Sequence, residues 1–253
     1  MKVGIVVTLH WSDLYRPNGG LIYSKFIENF RKINLNYDYS LYFIDNQSEF
    51  KFNLPNDLNY KYHYVENQFI YGITGAWNLG MENAYLDGCD VIINSNDDVL
   101  FNDSLNLFIE DILSSKFNNF AIFGPRTNKA AKGHPNGLPA EDTPYTYLDV
   151  EFGVHKNLLY GFCFGFTRNS YMAGKSTSNE FFPYEIESIH GRDIWASQEW
   201  YFSALAAKGF KSILCNRGYF KHLCTSRWMI HHPNYDYKTN SITYQDTYKS
   251  KVI

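Results

Sequence analysis

Two adjacent carboxylates, Asp97 and Asp98, stand where the apolar run Val91-Ile92-Ile93 gives way to Asn94-Ser95-Asn96, and Val99-Leu100-Phe101 follows at once. A short, β-branched run of this kind reads as a buried parallel strand, and open α/β sheets take their ligands just past the carboxyl ends of such strands. Acids placed there can hold a hard divalent cation, Mg2+ or Mn2+, against a diphosphate and leave coordination positions for phosphate oxygens. The same pair, with Asn102, Asp103 and Ser104, equally suits the cap of a helix that begins near Leu105. On the metal reading Asp98 is the first ligand. Asn96 adds an oxygen or meets a ribose, and Asp97 turns to a helix end or to the sugar. His222 is an imidazole of the kind Mn2+ accepts, and a lone histidine serves structure as readily.

Further candidates follow from strand ends and helix starts. Thr8 and Asp45, with Leu9 and Asn46 beside them, fall at the tips of the first two strands, where Asp45 can accept from a base N–H or a ribose hydroxyl; turn formation uses the same short polar residues. Asn78, with Gly75 one turn before it, suits the diphosphate or the loop beside it, or plain helix packing. A transfer to a hydroxyl also needs a base, and Glu199 is the best-placed carboxylate, with Asp193 beside Arg192 in reserve. Trp195, Trp200 and Tyr201 near it offer apolar faces to a sugar. The competing view makes Glu199 a favourable charge at a helix N-terminus and the aromatics core.

The elements that must position these groups alternate along the chain. Val3 to Leu9 is a strand, polar residues Ser12 to Asn18 lead through Gly19-Gly20 into a helix from Leu21 to Ile33, and Tyr39 to Ile44 is a second strand ending at Asp45-Asn46-Gln47-Ser48. Lys61 to Val65 is a third. Gly72 to Tyr85 is a helix that Gly88 stops before the Val91 strand. Helices of this length between strands imply parallel crossovers and a Rossmann-like, mostly parallel α/β sheet flanked by helices. Farther on, Phe120 to Gly124 and Leu158 to Thr167 read as strands. A polar connection from Thr127 to His155 is long enough to be a lid over substrate. Ser197 to Lys208 reads as a helix closed by Gly209, and Lys211 to Cys215 as a short strand leading towards His222. From Pro233 the tail is polar and tyrosine-rich and is expected to wrap the surface or fray.

Composition narrows the field. The 253 residues carry no Pro-, Gly- or Ser-rich linker, which argues for one domain. A net charge of −3 with scattered lysines leaves no footprint for nucleic acid or an anionic membrane. The aromatic content of 18% fits sugar stacking or the codon bias of an AT-rich bacterial or viral genome, so aromatics count only beside a candidate site. Cys89, Cys163, Cys215 and Cys224 form no CxxC pair, which fits reduced thiols in a cytoplasm, the host's if the chain is viral. The apolar part of the N-terminus is too short for a signal-peptide core or a membrane span.

In order and spacing the motifs resemble the inverting glycosyltransferases of GT-A fold, the large family that includes bacterial and viral rhamnosyl- and galactosyltransferases. Phe43-Ile44-Asp45-Asn46-Gln47-Ser48 stands for the family's "VDNxS" strand end, residues 72–84 for its "GxxxAxNxGxxxA" helix, and Asn94-Ser95-Asn96-Asp97-Asp98-Val99 for its "LNNDV"-type DxD motif. Gly161-Phe162-Cys163-Phe164-Gly165-Phe166-Thr167-Arg168 is similar to the strand that lines the acceptor site. Gln198-Glu199 stands where the family has an acidic "ED" pair, a departure at the first position. His222 resembles the late histidine that completes the metal site.

The resemblance implies a single GT-A domain, with 1–124 as the nucleotide-sugar half, 125–232 as the acceptor-binding and catalytic half, and 233–253 as a tail. It implies a metal-dependent, inverting transfer from a nucleotide diphosphate sugar, a UDP-sugar first, to a hydroxyl of a glycan or glycoconjugate. Two other classes stand beside it. A sugar nucleotidyltransferase shares such a sheet but expects a glycine-rich basic loop after the first strand, which Leu9-His10-Trp11-Ser12-Asp13 is not. A non-catalytic carbohydrate-binding protein would use the aromatics and have no need of Asp98 or Glu199.

Overall fold

The computed structural model describes residues 1–13, 16–65, 68–114, 120–128, 135–137, 143–148, 159, 161–175, 202, 205–206, 208–223, 235–236 and 241–242. Strands β1 (Lys2–Leu9), β2 (Asp38–Asn46), β3 (Tyr60–Val65) and β4 (Val91–Asn96) run parallel in the order β3-β2-β1-β4. The central three are buried along almost their whole length, which is why they read as continuous Val, Ile and Phe runs: helices cover both faces of the sheet.

Helix α1 (Gly19–Phe30) buries Tyr23, Phe26, Ile27 and Phe30, a stripe at helical spacing that packs with Val7, Phe43 and Ile93. Helix α2 (Gln68–Leu86) lies on the opposite face, where Ala76, Trp77, Met81 and Ala84 pack with Val6, Ile44 and Ile92. A Cβ on Gly80 would overlap Val6 and stand 2.9 Å from Ile44, so the glycine sets how closely α2 approaches the sheet. Gly88, expected to end this helix, does so with φ +77, in the left-handed region that favours glycine.

The second half adds β5 (Val99–Leu100), α3 (Ser104–Leu113), β6 (Ala121–Thr127), a 3-10 turn at Pro135–Gly137, β7 (Tyr145–Leu148), β8 (Cys163–Thr167), α4 (Arg168–Gly174) and β9 (Lys211–His222). They extend the sheet to nine strands in the order β3-β2-β1-β4-β8-β6-β9-β5, with β7 also on β9. The parallel character expected of the sheet belongs to its first four strands and to β6 with β9. Strand β8 enters antiparallel between β4 and β6, and β5 and β7 are antiparallel to β9, so the sheet as a whole is mixed. Strand direction is a property of chain path, which hydrophobic periodicity does not encode.

Strand β9 runs on to His222 instead of ending at Cys215. Beyond Cys215 it alternates, with Gly218, Phe220 and His222 buried and Arg217, Tyr219 and Lys221 outward or part-exposed. A register shift against β6 between Pro125 and Arg126 lets it continue. Part of the Thr127 to His155 connection is regular: β7 pairs with β9, and Arg126 donates to Pro135 O at 2.8 Å and to Asn216 Oδ1 at 2.8 Å, pinning the 3-10 turn to the sheet. Phe202, Leu205 and Ala206 are helical, as expected for that stretch, and Gly209 follows with φ +88. In the tail, β10 (Tyr235–Asp236) and β11 (Ser241–Ile242) pair antiparallel. Among the described residues no helix is long and apolar enough to cross a membrane.

Candidate functional site

Register brings the candidate residues of the first half to one edge. Thr8 on β1 stands beside Asn96 on β4, and Leu9 beside Asp45 on β2, so the carboxyl ends of three parallel strands carry Thr8, Leu9, Asp45, Asn46, Asn96, Asp97 and Asp98 side by side. This is the crevice where open α/β sheets receive ligands. Helix α2 adds Asn78 and Gly75, both buried. Alternation puts Thr8, Asn94 and Asn96 on the α2 face with Val6 and Ile92.

Asp45 is buried and built into its surroundings. Its Oδ1 accepts the Ser48 N–H at 2.9 Å, closing the turn after β2, and its Oδ2 accepts the Tyr62 hydroxyl. Gln47 inside that turn has φ 54, a left-handed conformation that costs a side-chain-bearing residue roughly 1 kcal/mol, so the turn holds strain at the crevice. The Asn46 carbonyl accepts a bond from His10 Nδ1 at 2.8 Å, which fixes the donor nitrogen of that ring, and His10 Nε2 meets Ser12 Oγ at 2.9 Å. Burial lowers the His10 pKa below its ordinary value, which keeps the ring neutral.

Asp97 and Asp98 do not cap α3. The Ser104 N–H at that helix start donates to Asn102 Oδ1 at 2.9 Å, and the acids sit one turn earlier, between β4 and β5. They face different partners. Asp97 forms an ion pair with Arg16, whose Nη2 is also 3.8 Å from Asp98 Oδ2, while His222 Nε2 lies 3.4 Å from Asp98 Oδ1. Burial pushes the Asp97 carboxyl up to about 7 even though Arg16 pulls it down, and the neighbouring Asp98 charge adds to the rise.

His222 is delivered by the strand extension: it pairs with Val99 in register, its N–H donates to Asn128 Oδ1 at 2.8 Å, and its ring stacks on Phe162 at 4.9 Å. Asp98 and His222 therefore offer an oxygen and a nitrogen donor together. Among the described residues no larger His, Cys, Asp or Glu cluster stands ready for a metal.

One feature of the crevice is energetically unusual. Thr8 Oγ1, Asn46 Oδ1, Asn96 Oδ1 and Asp97 Oδ2, with both side-chain polar atoms of Asn94 and Thr74 Oγ1 below them, are buried and have no hydrogen-bond partner among the described residues. Each such group costs on the order of 1–3 kcal/mol. Thr8, Asn46, Asn96 and Asp97 bring four of these atoms together at the carboxyl ends of β1, β2 and β4, where they cost stability.

Glu199 and Asp193, the expected bases, and the aromatics Trp195, Trp200 and Tyr201 lie outside the described residues. Residues not anticipated are Arg16, His10, Ser12 and Tyr62. Arg16 had a sequence signal, a basic residue in the loop after the first strand, three positions beyond Asp13, where the stretch read for a phosphate-binding loop ends.

No protein-family model and no curated protein matches the sequence. Solved structures do match. S. aureus TarS superposes with a TM-score of 0.57 at 12% identity over 88% of this chain and 36% of its own, and its 1-349 fragment with 0.52 at 14% over 88% and 60%. GalNAc-T7, solved with UDP, GalNAc and Mn2+, superposes with 0.60 at 12% over 90% of this chain and 44% of its own. The chain thus spans between about a third and three fifths of the length of these structures. The fold is that of the GT-A glycosyltransferases, a mixed α/β domain with a central sheet between helices.

Proposed function

We propose that the chain is a glycosyltransferase that moves a sugar from a nucleoside diphosphate donor, a UDP-sugar first, to a hydroxyl of a glycan or glycoconjugate acceptor, with inversion and with Mn2+ or Mg2+. The observation that carries this reading is the set of buried acids and unpartnered polar atoms at the carboxyl ends of three parallel strands. The GT-A fold supports it, as does the presence of UDP and Mn2+ in one structural neighbour.

Residues 1–124 form the donor half. Thr8, Leu9, Asp45 and Asn46 take the nucleoside, and Gly75, Asn78 and Asn96 take the ribose and diphosphate. The donor set fits a metal: Asp98 supplies a carboxylate and His222 an imidazole, a pair that suits Mn2+ and leaves positions for phosphate oxygens. A divalent ion held by Asp98 and His222 would supply positive charge against the departing diphosphate. Residues 125–232 form the acceptor half, where Glu199, with Asp193 in reserve, takes the proton of the acceptor hydroxyl. The buried free thiols Cys89, Cys163 and Cys215 fit a reducing, cytoplasmic setting.

Titration calorimetry with UDP, dTDP and GDP, each with and without Mn2+, tests the reading. One nucleotide is expected to bind in a metal-dependent way, and Asp98→Ala is expected to remove the metal dependence while the melting curve shows a folded protein. If no nucleotide binds, the crevice is not a donor site.

A further inference from the structure

Arg16 sits where a donor diphosphate would meet the protein's own charge. Ser12 and Arg16 are tied to each other and to the sheet. The Arg16 N–H donates to Ser12 O at 3.1 Å, the Ser12 N–H returns a bond to Arg16 O at 3.4 Å, and Ser12 is tied through His10 to the Asn46 carbonyl at the end of β2. The Gly19 N–H then donates to Arg16 O at 2.9 Å, joining the loop to the start of α1. The guanidinium is thus delivered from a braced turn to a point next to Asp97 and 3.8 Å from Asp98.

Of these three side chains Arg16 is the outermost: 15% of its side-chain surface is exposed, against 1% for Asp97 and 4% for Asp98. It stands in the loop that follows β1, and its guanidinium reaches the acid pair in the turn after β4. A planar guanidinium is suited to two-pronged recognition of phosphate, and a carboxylate behind it fixes its direction.

We propose that Arg16 is a donor-recognition residue, held by Asp97 at the outer edge of the acid pair so that its guanidinium takes the diphosphate of the bound nucleotide. The inference rests on the reading of the crevice as a nucleotide-sugar site. It gives the two acids separate tasks: Asp98 faces His222, and Asp97 orients Arg16. The positive charge so supplied is present whether or not a divalent ion is bound.

The test compares the full chain and its variants in calorimetric titrations with UDP, dTDP and GDP and with their parent nucleosides, in EDTA and in Mn2+. The affinity that the diphosphate adds to the nucleoside is the quantity of interest. Arg16→Met is expected to bind the nucleoside as the wild type does and to lose about tenfold to a hundredfold on the diphosphate, in EDTA as well as in Mn2+. Arg16→Lys is expected to recover part of that loss.

Because Arg16→Met removes the partner of the buried Asp97 and can fail to fold, the same substitution is also made in an Asp97→Asn background, where that carboxylate is gone and Asp98 keeps His222 3.4 Å away. A fall of about tenfold from Asp97→Asn to the double variant supports the proposal. Equal affinities for these two variants, or an undiminished diphosphate increment in Arg16→Met, overturn it and leave the donor site standing. A wild type that binds none of the nucleotides overturns the donor site and this role together.

Discussion

Asp45 accepts bonds on both of its oxygens from inside the protein, at the carboxyl end of β2 beside Leu9. Removing the Tyr62 hydroxyl leaves a buried carboxylate oxygen without a donor, so Tyr62→Phe is expected to destabilise by about 1–3 kcal/mol in denaturant titration and to weaken nucleotide binding as the 45–48 turn loosens. Unchanged stability would mean that water replaces the hydroxyl. His10 and His63 define a pH dependence: burial lowers both below the ordinary histidine value of 6.5. The unfolded chain therefore takes up protons at higher pH than the folded one. The contribution of these two histidines to stability is full above pH 6.5 and is lost as pH falls below it towards the folded values. Asp97, pushed up to about 7, takes up its proton in the same window and works in the opposite sense, so the histidine part is read as a difference: from about pH 7.5 down to about pH 5 the melting temperature of the wild type should fall relative to that of a His10→Gln/His63→Gln variant. The positions of Thr8, Asp45 and Asp98 at the ends of strands were legible in the sequence because the strand-end rule needs only a run and the polar residue that stops it. The pairing of Arg16 with Asp97 was not, because the two lie 81 residues apart and only the folded sheet brings β1 beside β4.

At the level of elements, the crevice depends on how tightly α2 is seated. Gly80→Ala adds a methyl against Val6 and Ile44. Helix propensity favours the alanine by roughly 1 kcal/mol, but overpacking costs about 1–3 kcal/mol, so net destabilisation is expected in denaturant melts, with a shift of α2 that weakens nucleotide binding. A stability equal to the wild type's would show that α2 can retreat without cost. The elements of the first half were legible because each buries a clean periodic stripe between turn signals. Strand β9 was harder, since Asn216, Arg217 and Gly218 look like a turn. Its continuation depends on Asn216 accepting from Arg126 and on Arg217 pairing with Asp111, two contacts with elements distant in sequence. The antiparallel entry of β8 left no local trace at all.

Across the whole molecule, the halves meet where β8 lies against β4. Phe164 is fully buried there, beside Asn94 in register and edge-on to both Trp77 of α2 and Phe202. Phe164→Ala opens a cavity in contact with both halves and is expected to cost about 3–5 kcal/mol in a single cooperative transition. Two separate transitions would show that the halves fold independently. The two-residue strand β5 carries a different implication, for recombination. It pairs Val99, the residue after the acid pair, with His222 near the end of the described sheet, so a wall of the crevice is contributed by sequence more than a hundred positions later. A recombination that replaced residues 125–232 would strip that wall from the acids it left behind, and a one-residue insertion in either strand would turn the histidine to the opposite face. Exchanging either segment alone is therefore expected to lose the Asp98–His222 contact, so a chimera has to carry both strands from the same parent.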